Sequence, residues 1–200
     1  MKKLTLCLII IAALTLSLTA CTSSSDGGPN TASPPPVSPT PTPAPPQDTL
    51  KGTTAEILEK IIADANKALG EDSAMPMSFT SEVTEETSEG NLGLTSDQFK
   101  SKVKSASVST AAIGSFAHEI ALVQCANAED AAEVKGLIAK GFDSGKWICV
   151  FPDRSVVIDS VSYVLLVAAK DANIDAVVKA FTDEAGDNAG KLDVFYTLPK

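Results

Sequence analysis

The chain is poor in the side chains that carry most catalytic and metal chemistry. It has one histidine, His118, among 200 residues. Nucleophilic catalysis by Ser or Cys therefore has a single imidazole to draw on as its base. Zinc sites need several His and Cys at close spacing, and neither C-x-x-C nor H-x-x-x-H occurs, so the sequence calls for no metal and no other cofactor. Basic residues are also scarce, with 16 Lys and Arg against 25 Asp and Glu and a formal net charge of −9. Nucleic-acid binding depends on clustered Lys and Arg that release counterions, so a nucleic-acid partner is excluded. A hydrophobic fraction of 44% with 20% charged residues is ordinary for a globular chain and rules out disorder throughout.

One long apolar run is present, at the N-terminus. Met1-Lys2-Lys3 supplies a short positive region, and an apolar stretch from Leu4 to Leu18, broken only by Thr and Ser, follows it. The pair reads as a secretory signal, too short for a comfortable transmembrane span. Leu18-Thr19-Ala20-Cys21 comes next and resembles the lipobox of bacterial lipoproteins: an aliphatic residue, two small residues, then Cys. That resemblance implies a diacylglycerated Cys21 thiol and cleavage just before it. The expected signal is 1–20, and the mature chain is expected on the outer face of the cell membrane, held by its lipid.

Residues 21–47 continue from the lipidated Cys as a linker of Ser, Thr, Pro, Gly and Ala that holds nine of the twelve prolines and no large apolar residue. Such a stretch favours polyproline II and has no core of its own; its 26 residues after Cys21 reach about 80 Å if fully extended. Residues 48–200 are expected to form one α+β domain. Thr53 and Glu56 make a capping box ahead of Ile57, Ile61, Ala65 and Leu69 on one helical face, and Gly70 ends it. Thr95 and Gln98 make a second box, with Phe99 and Val103 inward, while 82–93 is acidic and loop-like. From Phe116 onward the patterns sharpen into a strand around Ile120–Val123, a helix capped by Asn127 and stopped by Gly141, and a short strand over Trp147–Phe151. A hairpin of Val156–Ile158 and Tyr163–Ala169, a helix from Asp171 or Asn173 to Gly186, and a strand at Val194–Tyr196 complete the series. Without the extra Trp147 segment, that order is the split βαβ pattern of a ferredoxin-like α+β sandwich over 116–197, with N-terminal helical additions.

The segments Ala117-His118-Glu119-Ile120-Ala121-Leu122-Val123, Lys146-Trp147-Ile148-Cys149-Val150 and Tyr163-Val164-Leu165-Leu166-Val167, in that order behind a lipobox, resemble the small uncharacterised lipoproteins of anaerobic Gram-positive bacteria, of the type grouped as domain of unknown function 4358. The likeness covers roughly 75–185. It implies no reaction, cofactor or catalytic residue, and it transfers only the lipidation of Cys21.

The remaining constellations are weak. Ser101 and Lys104 match S-x-x-K, but neither S-x-N nor K-T-G accompanies them. The stretch Gly141 to Lys146 is one residue short of a phosphate loop and carries Trp147 where Ser or Thr is required, so it reads as a helix cap and turn. Asp183, Asp187 and Asp193 miss the calcium-loop spacing. His118, inside a strand, reads as structural or superficial. Cys125 and Cys149, the thiols left after export besides Cys21, can form a disulfide or remain two buried thiols on adjacent strands. Trp147, Cys149 and Phe151 alternate and are expected to share a core-facing side. The leading expectation is a lipid-anchored extracytoplasmic module that binds an envelope partner without catalysis. The alternatives are an envelope hydrolase working with two carboxylates and a solute-binding lipoprotein of a transporter.

Overall fold

The computed structural model describes residues 47–199. The signal, Cys21 and most of the proline-rich linker lie outside the described residues. Among the described residues no helix is long and apolar enough to cross a membrane.

Both capping boxes form as the sequence predicts. Helix α1 (Thr54–Leu69) starts with the Thr53 hydroxyl accepting the Glu56 N–H while the Glu56 carboxylate accepts the Thr53 N–H, and Gly70 ends it at φ 75°. Thr95 and Gln98 open α3 (Ser96–Lys102) in the same way. The backbone then turns at Val103 from helix into strand, because Ala106 and Val108 continue an inward alternation. The strands are β1 (Ser78–Glu82), β2 (Val103–Ala111), β3 (Glu119–Cys125), β4 (Arg154–Asp159), β5 (Tyr163–Ala169) and β6 (Asp193–Thr197). They form one antiparallel sheet in the order β1-β2-β3-β5-β4-β6. The other helices are α2 (Ser88–Leu92), α4 (Ala131–Gly141) and α5 (Asp171–Ala185).

The α+β class and the first split βαβ unit are as expected: β3, α4 and β4 enclose β5. The ferredoxin-like arrangement is corrected at its last strand. In that arrangement β6 would return beside β3, but β2 holds that place and β6 pairs with β4 instead. This reroutes a helix as well. The crossovers β3-α4-β4 and β5-α5-β6 run the same way along the sheet from strands of opposite direction, so crossovers of one hand must put their helices on opposite faces. The packing agrees. Ile120, Leu122, Leu165 and Val167 meet α1 and α5 through Leu58, Ile61, Ile174, Val177 and Phe181 on one face. Ala121, Val123, Val164 and Leu166 meet α4 through Val134 and Ile138 on the other, where Leu92, Leu94 and Val108 join them. The domain therefore has three layers.

Other boundaries shift for local reasons. Asn127 caps only a 3₁₀ turn, its amide donating to Asp130 before α4 begins. Lys170, not Asp171 or Asn173, takes the N-cap position of α5. Trp147 to Phe151 is loop rather than strand, because Cys149 takes the left-handed conformation, φ 62°, that interrupts alternation. Of the three residues expected to share a core side, Trp147 packs partly against the second core, whereas Cys149 and Phe151 are exposed.

Two polar devices hold the periphery. Lys135 of α4, 8% exposed, reaches Asp159 of β4 at 2.9 Å and Asp193 of β6 at 3.0 Å, so it ties the edge strand to the sheet. Gly93, the left-handed C-cap of α2, packs backbone to backbone against Gly141 at the end of α4; a Cβ on either would fall inside the other's carbonyl group. Gly141→Ala and Gly93→Ala are each expected to lower unfolding free energy by about 3 kcal/mol, and Lys135→Met by about 1 kcal/mol, because the Asp159 and Asp193 carboxylates it leaves are partly exposed. Urea titration of the three variants checks this. A Gly141→Ala protein as stable as wild type would show that α2 and α4 can separate freely.

Candidate functional site

The site begins with a polar pair in an apolar strand. β3 and β5 are covered on both faces, so residues at the mouth of β3 must face one core or the other. His118 and Glu119 are adjacent and both about 2% exposed. Strand alternation sends them to opposite sides of the sheet, His118 toward α1 and α5, Glu119 toward α4. Neither imidazole nitrogen of His118 has a hydrogen-bond partner among the described residues. Burial pushes the His118 pKa down to about 4, which leaves the ring neutral near pH 7.

Glu119 is held differently. Burial pushes its carboxyl up to about 7, against the lowering effect of Lys146, whose ammonium lies 2.6 Å from Oε2. Lys146 also donates to the Gly90 carbonyl at 2.7 Å and stands 4.7 Å from the centre of the Phe142 ring and 5.3 Å from that of Trp147. The loop that looked faintly like a phosphate cradle thus delivers its lysine to a carboxylate and two aromatic faces. Gly145 N–H donates to Asp143 within the loop, the turn expected there.

On the His118 side lies a cleft of about 630 Å³. Its floor is His118. One wall is the first turn of α5, with Lys170, Ala172 and Asn173; another is Phe116 and the loop before β3; a third is Val150 and Phe151; and Ser73 to Pro76, after α1, close it. Among the described side chains the lining contains no Asp or Glu. Phe116 and Phe151 are among the exposed large apolar residues, and Met77, Ile113 and Ile148 lie nearby at the same end of the sheet, Ile148 being 87% exposed. The backbone of the adjacent wall carries the one non-glycine residue with positive φ among those described, Cys149.

The chain enters the domain at the other end. The Asp48 carboxylate accepts the N–H and hydroxyl of Ser162 in the β4–β5 hairpin, Gln47 O accepts the Asn188 amide, and Thr49 donates to Glu184 O. The cleft and this entry point are separated by the length of β3, about 20 Å for seven residues.

The disulfide expected as one possibility for Cys125 and Cys149 does not form, and both thiols are free. The buried-pair alternative fails too, since Cys149 is exposed in a loop. Cys125 N–H donates to Ser162 O at the hairpin end, and Cys149 lies beside the cleft, so the two are about a strand length apart where a bridge needs Cα atoms within about 7 Å. Burial, with Asp130, Asp159 and Asp48 nearby, pushes the Cys125 thiol up to about 12, which removes it as a nucleophile.

No family model, curated protein or solved structure matches the chain.

The other sequence candidates do not converge. Ser101 donates back to Asp97 O within α3, while Lys104 is exposed on β2. Asp183 pairs with Lys179 and Asp193 with Lys135, and no group of three metal-binding side chains is present among the described residues. The carboxyl with raised proton affinity, Glu119, opens into none of the described clefts. Sequence reasoning missed Lys170, Asn173 and Phe116, which lie far apart in the chain and meet only because β3 and β5 end side by side.

The two buried groups make opposite demands on pH. Between 6.5 and about 4 the unfolded chain holds a proton on His118 that the folded chain lacks, so acidification through that window destabilises. Between 4.5 and about 7 the folded chain keeps a proton on Glu119 that the unfolded chain has lost, so stability falls as pH rises. Each contribution is about 3 kcal/mol, and they oppose one another over the shared window. Glu119→Gln should show stability rising with pH from 4 to 6.5, and His118→Asn should show it falling from 4.5 to 7, where wild type is nearly flat. Urea unfolding at half-unit pH intervals measures the slopes; parallel curves for all three proteins would contradict the assignment.

Proposed function

We propose that this is a lipid-anchored extracytoplasmic lipoprotein whose folded part is a non-catalytic binding module, held to the membrane through Cys21 and presenting its cleft away from it. The carrying observation is the placement of the two ends: residues 47–49 enter at the β4–β5 hairpin, and the cleft with its exposed apolar rim lies at the opposite end of the strands. A tether attached at one end leaves the other accessible to whatever approaches from outside. The lipobox reading of Leu18 to Cys21 and the spacer reading of the prolines supply the anchor and the reach. Two acyl chains hold a protein firmly, at about 0.8 kcal/mol per buried CH₂.

Binding fits the cleft better than catalysis. Its single imidazole is neutral and enclosed and makes no hydrogen bond to the Ser73 or Ser115 hydroxyls of the lining, and Glu119 lies on the far side of β3. The envelope-hydrolase alternative would need two carboxylates opposed across a cleft. A small solute is a ligand of the right scale, since about 630 Å³ falls within the ~300 to 1,000 Å³ of ordinary ligand pockets, which keeps the solute-binding reading close to this one.

Wild-type protein expressed with its own leader is expected in the membrane fraction, labelled by exogenous fatty acid and shortened by its signal. Cys21→Ser is expected to be unlabelled and unprocessed. An equally processed, equally membrane-bound Cys21→Ser protein would refute the anchor. Crosslinking on intact cells should place adducts on Phe116 and Phe151 before the hairpin end, and a reversed pattern would refute the orientation.

A further inference from the structure

We propose that the apolar tip pairs with the tip of a second copy of this chain, the Ile148 side chain of each copy seated in the cleft of the other. The proposal rests on reading this end as the binding end and adds what it binds.

The first observation is a knob beside a recess. Ile148 is 87% exposed, and the left-handed backbone at Cys149 ends strand alternation directly after it, so the side chain stands clear of its loop. The cleft of about 630 Å³ opens at the same end of the sheet, and the loop that carries Ile148 continues into its wall through Val150 and Phe151. A two-fold contact lays one surface onto itself, so a protrusion must find its recess on that same surface. The tip has both, an aliphatic knob and a recess walled by Phe116 and Phe151. A different partner would need only the recess.

The second observation is area. Met77, Ile113, Phe116, Ile148 and Phe151 are 42 to 87% exposed, and the Ala112 N–H bonded to the Met77 carbonyl joins the start of β1 to the β2–β3 turn. At roughly 200 Å² for a large side chain, these five offer about 600 Å² of apolar surface, the upper end of what a monomer leaves in one patch. Two tips together bury about 1,200 Å², where specific interfaces begin.

The third is charge. No Asp, Glu, Lys or Arg occurs in 74–80, 105–118 or 147–152, in a chain of formal net charge −9. A second copy carries the same excess of acid, so like-charge repulsion opposes every approach that brings acidic surfaces together and spares this one. Lys170, the charged side chain of the described lining, is exposed and can keep its ammonium in water.

The test uses the full chain, one copy to a lipid nanodisc, and counts paired discs by sedimentation. Pairs are expected at about 10 μM protein, the range of interfaces this small, and a short bismaleimide should join two copies through the exposed thiol of Cys149. Ile148→Lys sends a cation toward the other copy's Lys170, and Phe116→Asp puts an acid into the recess. Each alone is expected to weaken pairing about a hundredfold, because each change is felt at two contacts. Both positions are exposed, so folding should be unaffected. Mixing the two variants is expected to restore pairs, since one copy keeps a native recess and the other a native knob. Pairs that survive Ile148→Lys, or variants that pair no better mixed than alone, would overturn the knob-in-recess contact. Discs that stay single up to about 200 μM would overturn self-pairing altogether. Crosslinking of Phe116 and Phe151 to another envelope protein would then leave the binding-module reading standing with a different partner, and the lack of any adduct there would overturn that reading too.

Discussion

The rest of the structure depends on the pairing of β3 with β5, from Glu119 opposite Ala168 to Gln124 opposite Tyr163, and on the fact that these two strands are covered on both faces. An antiparallel sheet commonly leaves one face to water and shows alternating apolar and polar residues. Here Ile120-Ala121-Leu122-Val123 and Val164-Leu165-Leu166-Val167 are apolar without alternation, because each side of the sheet carries its own helical layer. That double cover follows from the connections. Two crossovers in the same direction from antiparallel strands cannot share a face if they share a hand, so α4 and α5 must bracket the sheet. Moving β6 to the far edge turns a two-layer sandwich into a three-layer one.

The site follows from the same constraint. A polar residue at the mouth of a doubly covered strand has no solvent face to turn to, so His118 and Glu119 divide between the two cores. Glu119 meets a cation that closes over it, with Phe142 and Trp147 as the lid. His118 meets the open start of α5, and the unmatched imidazole becomes the floor of a cleft. The neighbouring residues thus have different fates, one a carboxyl covered by Lys146 and the other an enclosed imidazole beneath a cleft.

Much of this was legible in the sequence, and the reasons differ by element. The boxes at Thr53 and Thr95, the terminal glycines Gly70, Gly141 and Gly186, the hairpin around Asp159 and the apolar runs of β3 and β5 are local signals, and each was where its chemistry required. β2 was hidden because its Ser105, Ser107 and Ser109 carry little hydrophobic signal; they face α1, where Ser107 shares a hydrogen bond with Thr54. β1 was hidden by its exposure, since Ser78 to Glu82 buries almost nothing. The Trp147 segment read as a strand because periodicity cannot register the left-handed turn at Cys149. The partner of a terminal strand is a long-range choice, and so is the company His118 keeps: a lone histidine in an apolar run looks the same whether or not a cleft lies above it.

The edges of the sheet carry a further consequence. β1 and β6 are five residues each, and each is bracketed by a proline and an acid, Pro76 and Glu82 around one, Asp193 and Pro199 around the other. Open edges are templates on which a second copy can extend the ladder, and short length, proline and like charge are the usual guards against it. With Phe79 exposed on β1, the guard matters most there. Copies crowded side by side would meet through strands too short and too negatively flanked to zip together, so the fold resists self-association along the one direction in which a sheet could grow without limit.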